Sequence, residues 1–168
     1  GSYDSNATNS NAEDVAVSGG YVYVADGYNG LVVVDVSDPT NPTYVGSCET
    51  YGYTRSVAVS GVYVYVADGN SGLVVVGVSD PTDPTLAGSY DTSGYAYDVE
   101  MSGGYAYIAD QEGGLVVVDV SDPWYPTMVG GYDTNGTARG VAVADGYAYI
   151  ADLGKGLVVI GPDSDGDG

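Results

Sequence analysis

Short stretches of apolar–polar alternation and short unbroken apolar runs follow one another along this chain, separated by clusters of Gly, Asp, Asn, Ser and Pro. Asp14-Val15-Ala16-Val17 alternates, which predicts a half-buried strand ending at Ser18-Gly19-Gly20. Tyr21-Val22-Tyr23-Val24-Ala25 predicts a second strand, closed by an Asp-Gly turn. Leu31-Val32-Val33-Val34-Asp35-Val36 is a near-continuous apolar run, which predicts a third strand covered on both faces. Beyond Ser37-Asp38-Pro39-Thr40-Asn41-Pro42 a fourth strand covers roughly Thr43 to Ser47. Its flanking prolines suit a sheet edge, where a missing amide costs little.

This pattern recurs. Ala25-Asp26 returns as Ala67-Asp68, Ala109-Asp110 and Ala151-Asp152, each 42 residues after the last, and four such copies make 168 residues. Asp38-Pro39 returns as Asp80-Pro81 and Asp122-Pro123, but the fourth copy has no such pair. Four antiparallel strands in a repeat of about 40 to 45 residues is the arithmetic of a propeller blade. A β-solenoid fits less well, because its coils are shorter and lack the hairpins. The predicted fold is all-β, a β-propeller of four 42-residue, four-stranded blades spanning residues 1–161, with an acidic tail over 162–168. An eight-bladed ring from two chains is the alternative.

The two ends of the array are unequal. The chain begins inside a fourth strand, Gly1-Ser2-Tyr3-Asp4, and its last predicted strand is a third, ending at Gly161. Pairing of these ends within the chain would close a ring. Exchange of the N-terminal strand with a neighbour would instead build dimers or polymers. The stretch from Tyr3 to Val15 is polar and longer than its counterpart from Tyr90 to Val99, as a hinge requires.

Charge narrows the function. Asp and Glu number 23, Lys and Arg 3, and His is absent, for a formal charge of −20 with only 15% of residues charged. Nucleic-acid binding and adhesion to anionic membranes both need cations that are missing here. Chemistry that needs an imidazole is excluded as well. No run approaches the roughly 18 apolar residues of a spanning helix. The single cysteine, Cys48, has no internal disulfide partner and shares its repeat position with Tyr90 and Tyr132. The start shows neither an initiating Met nor a signal peptide, so the chain reads as processed, excised or recombinant.

Some residues could carry chemistry. Asp26, Asp68, Asp110 and Asp152 recur in register and read as turn carboxylates that accept backbone amides, as do Asp38, Asp80 and Asp122. Glu13, Arg55, Tyr97 and Arg139 share one repeat position just before the first strand. A four-bladed ring would set the two arginines across the axis at the channel mouth, where they could clamp a carboxylate or sulfate. Neutralising nearby acids is their other reading. Asp163, Asp165 and Asp167 match the first half of a calcium loop and resemble the start of dockerin or thrombospondin type 3 repeats. A half-loop implies Ca2+ binding on the order of millimolar, against the reading of a solvated acidic tail. The Tyr-x-Tyr pairs from Tyr21-Val22-Tyr23 to Tyr147-Ala148-Tyr149 are expected to pack between blades. Tyr28, Tyr51, Tyr53, Tyr95 and Trp124 fall in loops, where rings can stack on sugars or on protein. Asn6 and Asn135 begin glycosylation sequons.

The third-strand motif carries a resemblance. Leu31-Val32-Val33-Val34-Asp35, Leu73-Val74-Val75-Val76-Gly77, Leu115-Val116-Val117-Val118-Asp119 and Leu157-Val158-Val159-Ile160-Gly161 resemble the LVIVD repeat. The preceding Tyr-x-Tyr-x-Ala-Asp and the following Ser-Asp-Pro strengthen it, while Gly77 and Gly161 depart from the motif's Asp. The resemblance implies a secreted or surface-anchored microbial propeller with no established catalytic residues, in a family whose members usually carry more than four repeats. The function expected is a non-catalytic extracellular structural or adhesive module that assembles through its N-terminal strand. Its partner is protein, itself or on a cell surface, or glycan. A ligand- or glycan-binding channel mouth is the first alternative, and a carboxylate-dependent glycosidase the second.

Overall fold

The computed structural model describes residues 1–3 and 10–161. The first repeat folds as β1 (Asp14–Ser18), β2 (Tyr21–Ala25), β3 (Leu31–Asp35) and β4 (Thr43–Cys48), and the second as β5 (Ser56–Ser60), β6 (Tyr63–Ala67), β7 (Leu73–Gly77) and β8 (Thr85–Tyr90). The third comprises β9 (Asp98–Ser102), β10 (Tyr105–Ala109), β11 (Leu115–Asp119) and β12 (Thr127–Tyr132), and the fourth β13 (Ala138–Ala144), β14 (Tyr147–Asp152) and β15 (Gly156–Ile160). Each repeat is one antiparallel sheet in sequential order, four-stranded three times and three-stranded in the last. The chain is an all-β propeller of four repeats, and among the described residues no helix is long and apolar enough to cross a membrane.

Third strands stop at Asp35 rather than the expected Val36, because the Val36 amide turns to Gly20 O at 2.9 Å and the Ser37 amide to Asp35 Oδ1 at 2.8 Å. The fourth strands carry a bulge, since Val33 faces Gly46 while Val34 faces Tyr44. A bulge of this kind twists an outer strand away from further pairing.

The core lies between blades. Tyr23, Ala25, Leu31 and Val33 on the front of the first blade pack on Val57, Val64, Val66, Val74 and Val76 on the back of the second. Tyr65, Ala67, Leu73 and Val75 repeat this against Val99, Ala106, Ile108, Val116 and Val118. Ala109 and Leu115 repeat it against Val141, Ala148 and Ile150. Alternate side chains of one strand therefore serve two neighbours, which is why Leu73 to Val76 are all buried. Of the tyrosine pairs, the second member packs between blades as expected at Tyr23 and Tyr65, whereas Tyr105 and Tyr147 are exposed at the outer end.

Among the described residues, the fourth blade has no such partner in front. Leu157 is 68% exposed, although its counterparts Leu31, Leu73 and Leu115 are at most 3% exposed. On the opposite flank Val15 and Val17 are 56% and 69% exposed, while Val57, Val99 and Val141 at the position of Val15 are buried. The same motif is thus core in three blades and surface at the fourth.

Candidate functional site

Three sets of polar residues hold successive blades together, and each ends at this open flank. The innermost lines the central channel, a cavity of ≈ 440 Å³ bordered by Asp14, Ser56, Asp98 and Glu100. Asp14, Ser56, Asp98 and Gly140 occupy one repeat position. Asp14 Oδ2 accepts the Val57 amide at 3.0 Å, Ser56 Oγ the Val99 amide at 3.4 Å, and Asp98 Oδ2 the Val141 amide at 2.8 Å. Each inner strand is thereby tied to the next blade's backbone. Gly140 has no side chain to continue the series, and the Val15 amide turns to its own Asp14 Oδ1 at 2.8 Å. Burial and the neighbouring Asp98 raise the pKa of Glu100.

The second set comprises the buried turn aspartates. They accept amides in their own turns, as at Asp152, where Gly154 and Lys155 donate to Oδ1. They also reach the loop arriving from the preceding blade, which sequence reading missed. Asp68 accepts Thr50 Oγ1 at 2.7 Å, Thr54 Oγ1 at 3.0 Å and the Gly52 amide at 2.7 Å. Thr92 serves Asp110 and Thr134 serves Asp152, each at 2.5 Å. In the first blade Ser10 Oγ and the Asn11 amide serve Asp26 at 2.9 and 2.7 Å. The recurring Thr two residues after each fourth strand was the available signal.

Asp110 differs from Asp68. Ala96 replaces Thr54, and Asp110 Oδ2 is buried with no hydrogen-bond partner. Burial, helped by Asp91 and Glu112 and opposed by Thr92 and the nearby Gly94 amide, pushes its carboxyl up to about 6. Asp152 moves the other way, lowered by Thr134 and its turn amides.

The third set is the mouth position. Arg55 pairs with Glu13 Oε2 at 3.3 Å and donates to Tyr95 Oη at 3.3 Å, with its guanidinium 4.5 Å from the Tyr53 ring centre and 4.9 Å from that of Tyr97. Burial works against the charge, but Tyr95, Tyr97 and Glu13 outweigh it and raise the pKa. Arg139 lies 5.2 Å from the same Tyr97 ring and is exposed. The structure brings Glu13, Arg55, Tyr97 and Arg139 together in series, with both arginines over Tyr97. Tyr53 and Tyr95 belong to this cluster, with Tyr28 exposed but packed edge-on against Tyr53 at 4.7 Å, whereas Tyr51 and Trp124 are exposed.

At the outer rim the glycines of the first two fourth strands, Gly46 and Gly88, meet the proline loop of the next blade. A Cβ on Gly46 would lie 2.6 Å from Pro81 O, and one on Gly88 would lie 2.4 Å from Pro123 O. Gly1 stands in this relation to the first blade, with Thr40 O and Pro42 Cδ each 2.5 Å from such a Cβ, and Tyr3 stacks on Tyr44 with ring centres 6.5 Å apart. Gly1, Ser2 and Tyr3 therefore occupy the place that a preceding blade's outer strand takes elsewhere. Asp38 and Asp80 are turn acceptors as predicted, bonded to Thr40 and Thr82, which lowers their pKa values. Asn135 is exposed in a left-handed turn with φ 54°. Asp4, Asn6, Asp163, Asp165 and Asp167 lie outside the described residues. Among those described, no group of three His, Cys, Asp or Glu is arranged to hold a metal ion.

Four consecutive segments, residues 10–50, 51–92, 93–134 and 135–161, match the LVIVD repeat. No curated protein matches the chain. Among solved structures it is similar to the computationally designed Ika4 protein, with a TM-score of 0.76 at 9% identity, covering 92% of this chain and 93% of that one. It is also similar to the computationally designed Ika8 protein, with a TM-score of 0.70 at 10% identity, covering 88% of this chain and 45% of that one. BamB from Moraxella catarrhalis gives a TM-score of 0.67 at 15% identity, covering 86% of this chain and 42% of BamB. These likenesses are of fold.

Proposed function

The chain belongs to the LVIVD repeat family, and from that premise we propose that it is a non-catalytic extracellular structural or adhesive module that assembles through its N-terminal strand. The observation that carries this reading is the seating of Gly1 against Thr40 and Pro42, in the place of another blade's outer strand. A strand held there is positioned to complete a sheet whose other three strands belong to a different molecule. The non-catalytic part draws support from the carboxylates, since the buried aspartates are engaged in holding loops. Light scattering on the full chain and on a chain lacking residues 1–11 tests the proposal. Assembly lost on truncation supports it, and an assembly state and melting temperature that truncation leaves unchanged refute it.

A second reading, anion or glycan binding at the channel mouth, is favoured by Arg139. It is exposed over Tyr97, and among the described residues it has no carboxylate within ion-pair distance. A glycan array probed with the parent chain and with R139A separates the two readings.

A further inference from the structure

We propose that the front face of the fourth blade docks on the rear face of the first blade of a second copy, head to tail. This rests on the assembly reading above and assigns its interface.

The two open faces are the halves of a junction that the chain already makes three times. In each internal junction the front of one blade, through the Leu that opens its third strand, packs on the Val of the next blade's first strand. Leu157 and Val159 present that front at 68% and 49% exposure, and Val15 and Val17 present that back at 56% and 69%. Among the described residues, the three internal junctions leave these faces uncovered. The chemistry that fits each is therefore its repeat counterpart, and a second copy carries both.

Charge agrees with this pairing. The mouth series runs from Glu13 through Arg55 and Tyr97 to Arg139, and the next place in it belongs to the Glu13 of the following copy. An exposed guanidinium then meets a carboxylate at the rim of an apolar patch. At the outer edge, Gly1 to Tyr3 of that copy, already seated on its own first blade, would lie beside β15. The channel latch is missing at Gly140, so this junction is weaker than the internal ones and the assembly is reversible.

Each copy carries a formal charge of −20, so the measurement is made at about 0.5 M NaCl, where screening is stronger than the roughly 8 Å Debye length of physiological salt. Light scattering on the full chain is expected to show at least twice the 17.1 kDa chain mass. Leu157→Asp and Val17→Asp are each expected to reduce it to the monomer. Both side chains are exposed in the single chain, and unchanged circular dichroism verifies folding. An equimolar mixture of the two variants is expected to recover a dimer, because one intact front and one intact back remain. A mixture that stays monomeric overturns head-to-tail pairing. Assembly that persists in both variants but disappears without residues 1–11 overturns this interface and leaves strand exchange standing. A parent chain that is monomeric at every concentration removes both.

Discussion

The Ser56 hydroxyl lies 2.7 Å from Asp98 Oδ1 and 2.9 Å from Asp14 Oδ2, so one proton mediates between carboxylates of two flanking blades. Its oxygen also takes the Val99 amide. Removing it leaves the two acids facing each other with no hydroxyl between them, each still bonded to backbone amides. Ser56→Ala is expected to lower stability by about 1–3 kcal/mol, as for a buried bond to a charged acceptor. Urea unfolding at pH 7 measures this.

The outer rim supplies a matched pair. Gly88 lies against Pro123 O, whereas a Cβ on Gly130 would meet nothing within 4 Å among the described residues, and the fourth repeat has no Asp-Pro pair in its sequence. Gly88→Ala is expected to destabilise by about 1–3 kcal/mol through overpacking against backbone. Gly130→Ala should be neutral or slightly stabilising. Thermal melting of the two variants side by side checks the contrast.

Asp110 predicts an acid-side gain in stability. Its folded pKa of about 6 lies above the ordinary 3.8, so the folded state holds the proton more tightly than the unfolded chain. The contribution of this group therefore rises as pH falls from 6 towards 3.8, and is lost as pH rises through 6. Ala96→Thr restores the hydroxyl that Thr54 gives Asp68 at 3.0 Å. The variant should melt higher at pH 7, by roughly 2–4 °C per kcal/mol gained, and show a smaller acid-side rise. Melting curves from pH 4 to 7.5 for both chains test this.

The two mouth arginines should separate. Arg55 has an ion pair, a tyrosine hydroxyl and aromatic rings, while Arg139 has one ring and is exposed. Arg55→Ala is expected to cost about 1–2 kcal/mol, from cation–π and partly screened ionic contacts. Arg139→Ala should leave the stability of the single chain within about 0.5 kcal/mol. Equal losses in denaturant melts would contradict this assignment.

Strand positions, the hairpins and the four-repeat architecture were legible in the residues, because alternation, Gly-Asp turns and a 42-residue period are local properties of the chain. The mouth position was legible in the same way, through Glu13, Arg55, Tyr97 and Arg139 at one repeat register. What these residues touch was not. Arg55 and Arg139 meet over Tyr97 rather than facing each other across the axis, and Asp68 holds Thr50 from the loop entering its blade. The sharpest divergence lies between Leu115 and Leu157, which open the same motif yet are 3% and 68% exposed. A motif determines which face of a strand is apolar, since side chains alternate with the backbone. Whether that face is core or docking surface depends on whether another blade lies in front of it, and only the tertiary structure decided that.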